Sequence, residues 1–426
     1  MQQTEDLTSL VETRGPLPEE LPVPAHVPPE LVMEPLGWEE ANARIDPFSV
    51  TEDALSGLPP IFHSPKPVPG YCRSKWVVTH HDDIRRVYED AQLYSTKDLG
   101  AFNALVGETF PMIPMAIDPP EHSKYRRLLN PLLSPVAINK LDDSIRATVN
   151  GLIDGFVDKG ECDAAYDFGR LYPVQVFLRL MGFPLAKLED FLSWEYAILH
   201  SFDDLEKVQW GIRNAIDWLR SFISETRKNP GDNFTSHIIN GQVEGRNLTE
   251  DEVMGIVTFL WIGGLDTVAA TTSLMFRRLA LQPELQEQLR ENPDLINNAV
   301  EEFLRTQPLV NSMRLIKKDH SIRGVEVKAG DYIQCANIVG NFDPEKFEDS
   351  RHFRLDRASN RHFSFGGGPH VCLGIHLARR ELRIALGEFL RRIPPFRMQE
   401  NAQIRAFPGL IAAPSVPIIW DKALAE

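Results

Sequence analysis

Phe365-Gly366-Gly367-Gly368-Pro369-His370-Val371-Cys372-Leu373-Gly374 is the stretch on which the reading of this chain turns. Glycines permit positive φ and close backbone approach, which a tight loop beneath a flat macrocycle requires. The cysteine falls where a helix is predicted to begin, over about Leu373 to Arg392. A helix start stabilises a thiolate through its dipole and free amides, and an electron-donating axial iron ligand must be a thiolate. His370, two residues earlier, can donate a hydrogen bond to a carboxylate at a cofactor edge. Three other readings use the same residues. A phosphate-binding glycine loop would carry Gly-Lys-Ser/Thr, which is missing. Cys372 with His376 offers zinc only two ligands. A lone cysteine is commonly a plain buried thiol.

A second unusual segment lies upstream. Thr249-Glu250-Asp251-Glu252 forms a capping box and opens a helix predicted to run through Leu260 and Leu274 to about Gln282, where Pro283 begins the next. Some thirty residues of helix span roughly 45–50 Å, enough to cross a domain core. Within it sits Gly263-Gly264-Leu265-Asp266-Thr267. Two interior glycines cost about 1–2 kcal/mol relative to alanine, and an acid beside a hydroxyl is out of place amid Phe259, Leu260, Trp261, Ile262 and Val268. In one reading the glycines let a ligand lie against the backbone while Asp266 and Thr267 manage protons in a dry pocket. In the other, small residues mark a helix crossing and Thr267 bonds back to a carbonyl.

The loop resembles the haem-binding loop of the cytochrome P450 family, Phe-x-x-Gly-x-(Arg/His)-x-Cys-x-Gly, at all five specified positions. The resemblance implies that Cys372 is the proximal ligand of a haem b iron, with Phe365, His370 and Gly374 in the cofactor loop. The distal helix is similar to the family's (Ala/Gly)-Gly-x-(Asp/Glu)-Thr, which makes Asp266 and Thr267 the catalytic acid–alcohol pair. Two protons must reach dioxygen when its O–O bond breaks, and a sealed apolar pocket offers no other source. Glu302-Phe-Leu-Arg305 matches the family's Glu-x-x-Arg motif, with Arg357 as third member of a structural triad. Asp118-Pro-Pro-Glu121-His122-Ser-Lys-Tyr-Arg126-Arg127 resembles the helix entry that supplies propionate donors, here His122 and Arg126. Arg314 and His370 complete a set of four, although each alone could be a solvated surface charge. The similarity extends over nearly the whole chain and is nearest to the soluble bacterial camphor-hydroxylase group.

Composition agrees with that class. The chain has 426 residues, 43% hydrophobic and 25% charged, with a formal net charge of −15, which disfavours nucleic acid and anionic lipid as partners. Its four cysteines, Cys72, Cys162, Cys335 and Cys372, lack framework spacing and point to a reducing, cytoplasmic setting. One large, mostly α domain with a minor β region is expected over residues 1–426. Residues 1 to about 30, acidic and rich in proline, read as a flexible arm rather than a signal peptide or a membrane span. Strand Lys75–Thr79, a helix from Asp82 to Tyr88, helices over Val136–Val157 and Trp210–Arg227, and a hairpin within Ile322–Ile333 are predicted. Asn337 to Gly368 shows little periodicity.

No ferredoxin cysteine cluster or dinucleotide-binding fingerprint is present, so the resemblance implies electrons from a separate two-iron two-sulfur ferredoxin and its reductase. Lys124, Arg126, Arg127, Arg361, Arg379 and Arg380 are the candidate docking cations. An ungapped placement on camphor hydroxylase puts Phe110 where that enzyme has a substrate-binding tyrosine, with Met112, Ile113 and Met115 nearby. Gly263, Phe259, Val310, Leu410 and Ile411 fall at other substrate-pocket positions. The expected substrate is a small hydrophobe of monoterpenoid or norisoprenoid type, oxidised with dioxygen. A peroxide-driven or rearranging haem-thiolate enzyme would usually lack the acid–alcohol pair. A non-enzymatic haem sensor or electron carrier would not require a substrate-sized distal cavity.

Overall fold

In a computed structural model, residues 21–33, 57–66, 74–97, 99–100, 102–201, 204–399 and 413–424 are described. The helices that build the site are α1 (His81–Glu89), α2 (Glu121–Leu129), α3 (Asp142–Ile153), α4 (Leu171–Met181), α5 (Leu188–His200), α6 (Leu205–Lys228), α7 (Glu250–Leu281), α8 (Ile296–Thr306) and α9 (Ile375–Arg392). Thr249 caps α7 as its sequence predicts. Its hydroxyl accepts from the Glu252 amide at 3.2 Å, and the Glu252 carboxylate accepts from the Thr249 amide at 2.7 Å. Arg246 and the Tyr125 hydroxyl hold the same carboxylate and draw its pKa down to about 2.

α7 is long and apolar enough to cross a membrane by composition, yet most of it is buried inside the protein. Two hydrophobic clusters share it. Its first half, Val253 to Leu265, packs with residues of α4, α5 and α6. Its second half, Ala270 to Ala280, packs with α3, α8 and α9. Gly263 to Thr267 therefore spans the seam between the clusters. Leu373, next to Cys372, touches both, so the cysteine loop reaches the same seam.

The β region is small. Strands β1 (Ile61–Ser64), β2 (Lys75–Val78), β3 (Tyr94–Ser95), β5 (Met313–Ile316) and β8 (Tyr332–Cys335) form one sheet in the order β1-β2-β8-β5-β3. β2 and β8 run parallel and the other neighbours antiparallel. β4 (Glu161–Asp163) pairs with β10 (Pro417–Trp420), which pairs with β9 (Phe396–Met398). The expected hairpin is shorter than its sequence suggests. It joins β6 (His320–Ile322) to β7 (Val325–Val327) through Arg323 and Gly324, both at positive φ, while Ile333 belongs to β8 in the main sheet.

Two other expectations need correcting. The Val136–Val157 helix is broken into Pro135–Asn139, α3 and a 3-10 turn at Val157–Lys159. At the first break Arg380 binds both the Asn139 side chain and Asp142. The proline-rich arm is packed from Leu21 onward rather than free to about residue 30. Leu21 donates to the Pro65 carbonyl, Val27 is buried, Val32 bridges to His63, and His26 binds Asp331 at 2.8 Å. Residues 1–20 lie outside the described residues.

The irregular segment before the cysteine loop is held by buried charge. Glu302 and Arg305 on α8 are both fully buried and meet in a two-pronged pair at 2.7 and 2.9 Å. Glu302 also accepts from Arg357 Nε (2.8 Å), the Arg354 amide (3.0 Å) and Asn360 (2.8 Å). Arg305 donates onward to the carbonyls of Asn341, Ser350 and His352. Removing one partner strands the other charge, so Glu302→Ala or Arg305→Ala should lose about 3–5 kcal/mol in urea denaturation. Burial alone would raise the Glu302 carboxyl, but bonds from Arg305, Arg354 and Arg357 hold it below its ordinary value. Its contribution is thus complete above the unfolded value of about 4.3 and fades as pH falls through the lower folded value. Glu302→Gln should flatten this part of the acid limb of a stability–pH curve.

Candidate active site

The cysteine loop rests on α1. Gly368 has φ +61°, and a Cβ there would lie 2.1 Å from the Tyr88 carbonyl oxygen, so position 368 requires glycine on two counts. The Cys372 amide donates to the Phe365 carbonyl at 2.9 Å and closes the loop. The Phe365 ring lies under the Arg379 guanidinium at 4.8 Å, and Arg379 is locked to Glu301 by two 2.7 Å bonds. From the other side Arg126 donates to the Val371 carbonyl at 2.8 Å.

Among the described cysteines, Cys162 and Cys335 are buried, and burial pushes the Cys335 thiol up to about 12. Cys372 differs. It keeps accessible surface although protein surrounds it on many sides. Burial raises its thiol too, against the Gly374 amide and the charges of Arg126 and Arg379. α9 begins at Ile375 with Gly374 as its N-cap, so Cys372 does lie at a helix start, and the Gly374 amide is among the groups that favour its thiolate. An iron on the sulfur would favour it further.

Beside the loop, four donors from three segments converge. The rings of His122 (α2) and His370 lie 4.1 Å apart. Arg126 lies one turn beyond His122, and Arg314 comes from β5 over the Tyr88 ring at 5.0 Å. Burial first, then the neighbouring cations, pushes His370 down to about 3 and His122 to about 4. His122 is buried, and neither ring nitrogen has a hydrogen-bond partner. The nearest carboxylate, Asp118, is consumed by Ser95, Thr96 and Lys317. Positive charge and orphaned nitrogens without an anion fit a group that brings its own carboxylates. Together with the accessible Cys372, they fit an iron protoporphyrin.

On α7 the two glycines divide the two readings of their segment. A Cβ on Gly263 would meet no atom within 4 Å, whereas one on Gly264 would lie 2.4 Å from the Phe177 ring. Gly263 therefore borders open space in mid-helix, and Gly264 is a helix-crossing contact with α4. Thr267 Oγ1 makes only a long 3.5 Å bond to the Gly263 carbonyl. Asp266 turns the other way, toward His200 at the end of α5, 3.2 Å away. No periodicity or motif marked His200 or its neighbour Glu195.

The expected substrate pocket is only partly assembled. Phe110 is buried in the cluster with α5 and α6, and Phe259 packs against it. Val310 is exposed on the segment before β5. Leu410 and Ile411 lie outside the described residues. A small enclosed cavity beside α7 is lined instead by Phe102, Met112, Ile198, Ile212, Thr258 and Ile262, among others. The docking patch is also thinner than expected. Arg126 points inward, Lys124 pairs with Glu121 and Glu244, Arg379 with Glu301, and Arg380 with Asp142. Arg127 and Arg361 remain as its exposed cations.

Comparison with known proteins gives one answer. The family model described as cytochrome P450 matches residues 172–419. A probable cytochrome P450 127A1 of Sinorhizobium fredii is 37% identical over 385 residues, covering 89% of this chain and 92% of that protein. The mycinamicin IV hydroxylase/epoxidase of Micromonospora griseorubida is 30% identical, over 83% of this chain and 91% of its own. The crystal structure of cytochrome P450 CYP101C1, at 29% identity, superposes with a TM-score of 0.82 over 94% of this chain and 100% of that one.

The two α7 glycines are separable by experiment. Gly263→Ala should keep or gain up to about 1 kcal/mol of stability from helix propensity. Gly264→Ala should lose about 1–2 kcal/mol by overpacking against Phe177. Thermal or urea denaturation of the two variants reads the difference.

Proposed function

Because this chain belongs to the cytochrome P450 family, whose members are haem-thiolate monooxygenases, we propose that it hydroxylates a small, compact hydrophobe of monoterpenoid or norisoprenoid type. Its electrons would come from a two-iron two-sulfur ferredoxin and reductase, and its setting is the cytoplasm. The observation that carries the reading is the convergence of His122, Arg126, Arg314 and His370 beside the loop of Cys372, which alone among the described cysteines is exposed.

The haem, when bound, supplies the activation of dioxygen that lets one oxygen atom enter a C–H bond while the other leaves as water. The chain's residues do the rest. Cys372 would supply the sulfur that holds the iron, with the Gly374 amide and the Arg126 and Arg379 charges acting on it. His122, Arg126, Arg314 and His370 would hold the two propionates. Gly263 leaves room on the distal side. Thr267, weakly tied to its own helix, is free to donate from Oγ1, and the Asp266 carboxyl beside it can take up a proton and pass it on. The apolar walls of α5, α6 and α7 exclude bulk water and favour a substrate recognised by shape. Phe110, with no polar atom on its ring, favours a ligand less polar than camphor.

Reduced protein under carbon monoxide should give the strongly red-shifted Soret band of thiolate ligation, and Cys372→Ala should lose it. A purified protein that takes up no haem would overturn the assignment. Thr267→Ala should keep the band but lower the product formed per electron pair consumed, with the balance appearing as peroxide. For the ferredoxin, docking at Arg127 and Arg361 makes reduction slow steeply as salt rises, because surface attraction screens within about 10 Å at 0.1 M. Reduction rates independent of salt would argue for a different partner.

A further inference from the structure

Asp266 directs a carboxylate oxygen at α5. Its carboxylate lies 3.2 Å from His200 Nε2, and the same nitrogen lies 3.7 Å from Glu195 Oε1. The imidazole and the two carboxylates are mostly enclosed, with side-chain exposures of 6%, 7% and 14% for His200, Glu195 and Asp266. Their ligand-type atoms all fall within 4.8 Å of one another. The cluster sits between α5 and α7, where the surrounding contacts are apolar. Two ionised carboxylates so close in such a place would repel strongly. Burial, and after it the charge of Asp266, pushes the Glu195 carboxyl well above its ordinary range, which favours its protonated form. Glu195 Oε1 is also without a hydrogen-bond partner.

We propose that Glu195, His200 and Asp266 form a proton relay from the end of α5 to the distal side of the pocket, with His200 as its positioning and transfer residue. The proposal rests on the monooxygenase reading given above. Each oxygen atom inserted consumes two electrons, which the redox partner supplies, and two protons, which leave in the water formed. In the relay Asp266 takes a proton from His200 Nε2 and passes it toward Thr267. His200 regains a proton from Glu195, and the cluster is reloaded from solvent on the side of Tyr196. Both carboxylates face the same ring nitrogen, Nε2, so one atom can release a proton to Asp266 and recover one from Glu195. The outer end lies near water. The Tyr196 ring is 5.2 Å from that of His200 and 45% exposed, and Lys207 from α6 covers it with Nζ at 5.2 Å. Among the described residues, the titratable groups around Asp266 are thus His200 and Glu195, then Tyr196 and Lys207.

The relay differs from a merely structural clasp in what it moves. In the haem-loaded protein, infrared difference spectra should contain the carbonyl band of a protonated carboxylic acid that Glu195→Gln removes. If the band is absent from the unmutated protein, the relay is overturned. His200→Gln should bind substrate with an unchanged spin shift. It should slow product formation about tenfold, less than the roughly hundredfold lost with a direct general acid or base, with a larger solvent isotope effect and a displaced pH profile. An isotope effect and pH profile identical to those of the unmutated enzyme overturn the relay. Glu195→Gln provides a second kinetic arm should His200→Gln fold poorly. The carbon monoxide spectrum keeps the two readings apart. Loss of the thiolate band in the unmutated protein defeats the monooxygenase reading, whereas an intact band with unmoved proton kinetics defeats only the relay.

Discussion

The cysteine loop stands on an ion pair it does not touch. Glu302 and Arg305 are fully buried, and between them they satisfy three backbone carbonyls, a backbone amide and two more side chains of the irregular segment that leads to Phe365. That segment has no periodic hydrogen bonding of its own, so its buried polar groups must find partners elsewhere. A paired charge with every valence used is one of the few ways to fix such a chain without secondary structure. The loop is then clamped from outside by Arg379 with Glu301, by Arg126 on the Val371 carbonyl, and by the close approach of Gly368 to Tyr88. The geometry around the sulfur is therefore set by charge and backbone contact rather than by an apolar core.

α7 solves a different problem. A helix shared by two hydrophobic clusters would normally be packed on all sides, leaving no room for chemistry. Here the apolar contacts change from one cluster to the other across Gly263 to Thr267, and the missing side chain at Gly263 opens the seam. Leu373 marks the same seam from the side of the cysteine loop. Room for a reaction between two cores thus comes from removing side chains, while Phe177 against Gly264 keeps the helix from sliding.

Much of this was legible in the chain. The capping box, the Cys372 loop and the Glu302–Arg305–Arg357 set lie in local motifs whose spacing reports their geometry. The main exceptions have physical reasons. The break at Lys140 depends on Arg380, more than two hundred residues away, and the packing of residues 21–33 depends on a sheet that is assembled from distant strands. Val136–Val157 keeps helical periodicity through a break that only tertiary contact creates. His200 and Glu195 carry no motif, because their meaning comes from α5 lying across α7. The pocket residues were the least legible. Phe110 and Phe259 are apolar in an apolar neighbourhood, where lining a cavity and filling a core look alike in sequence.

The order of synthesis follows from where the cysteine lies. Residues that complete the larger core cluster run from Leu133 to Trp420, and β10 closes a sheet begun at Glu161. Such pairings across long stretches of chain form slowly and late. The donors on α2 leave the ribosome long before Cys372, α9 and β10, and until then they have nothing to converge upon. Cofactor capture therefore waits until Cys372 and the helix behind it have been made, whatever has folded before them.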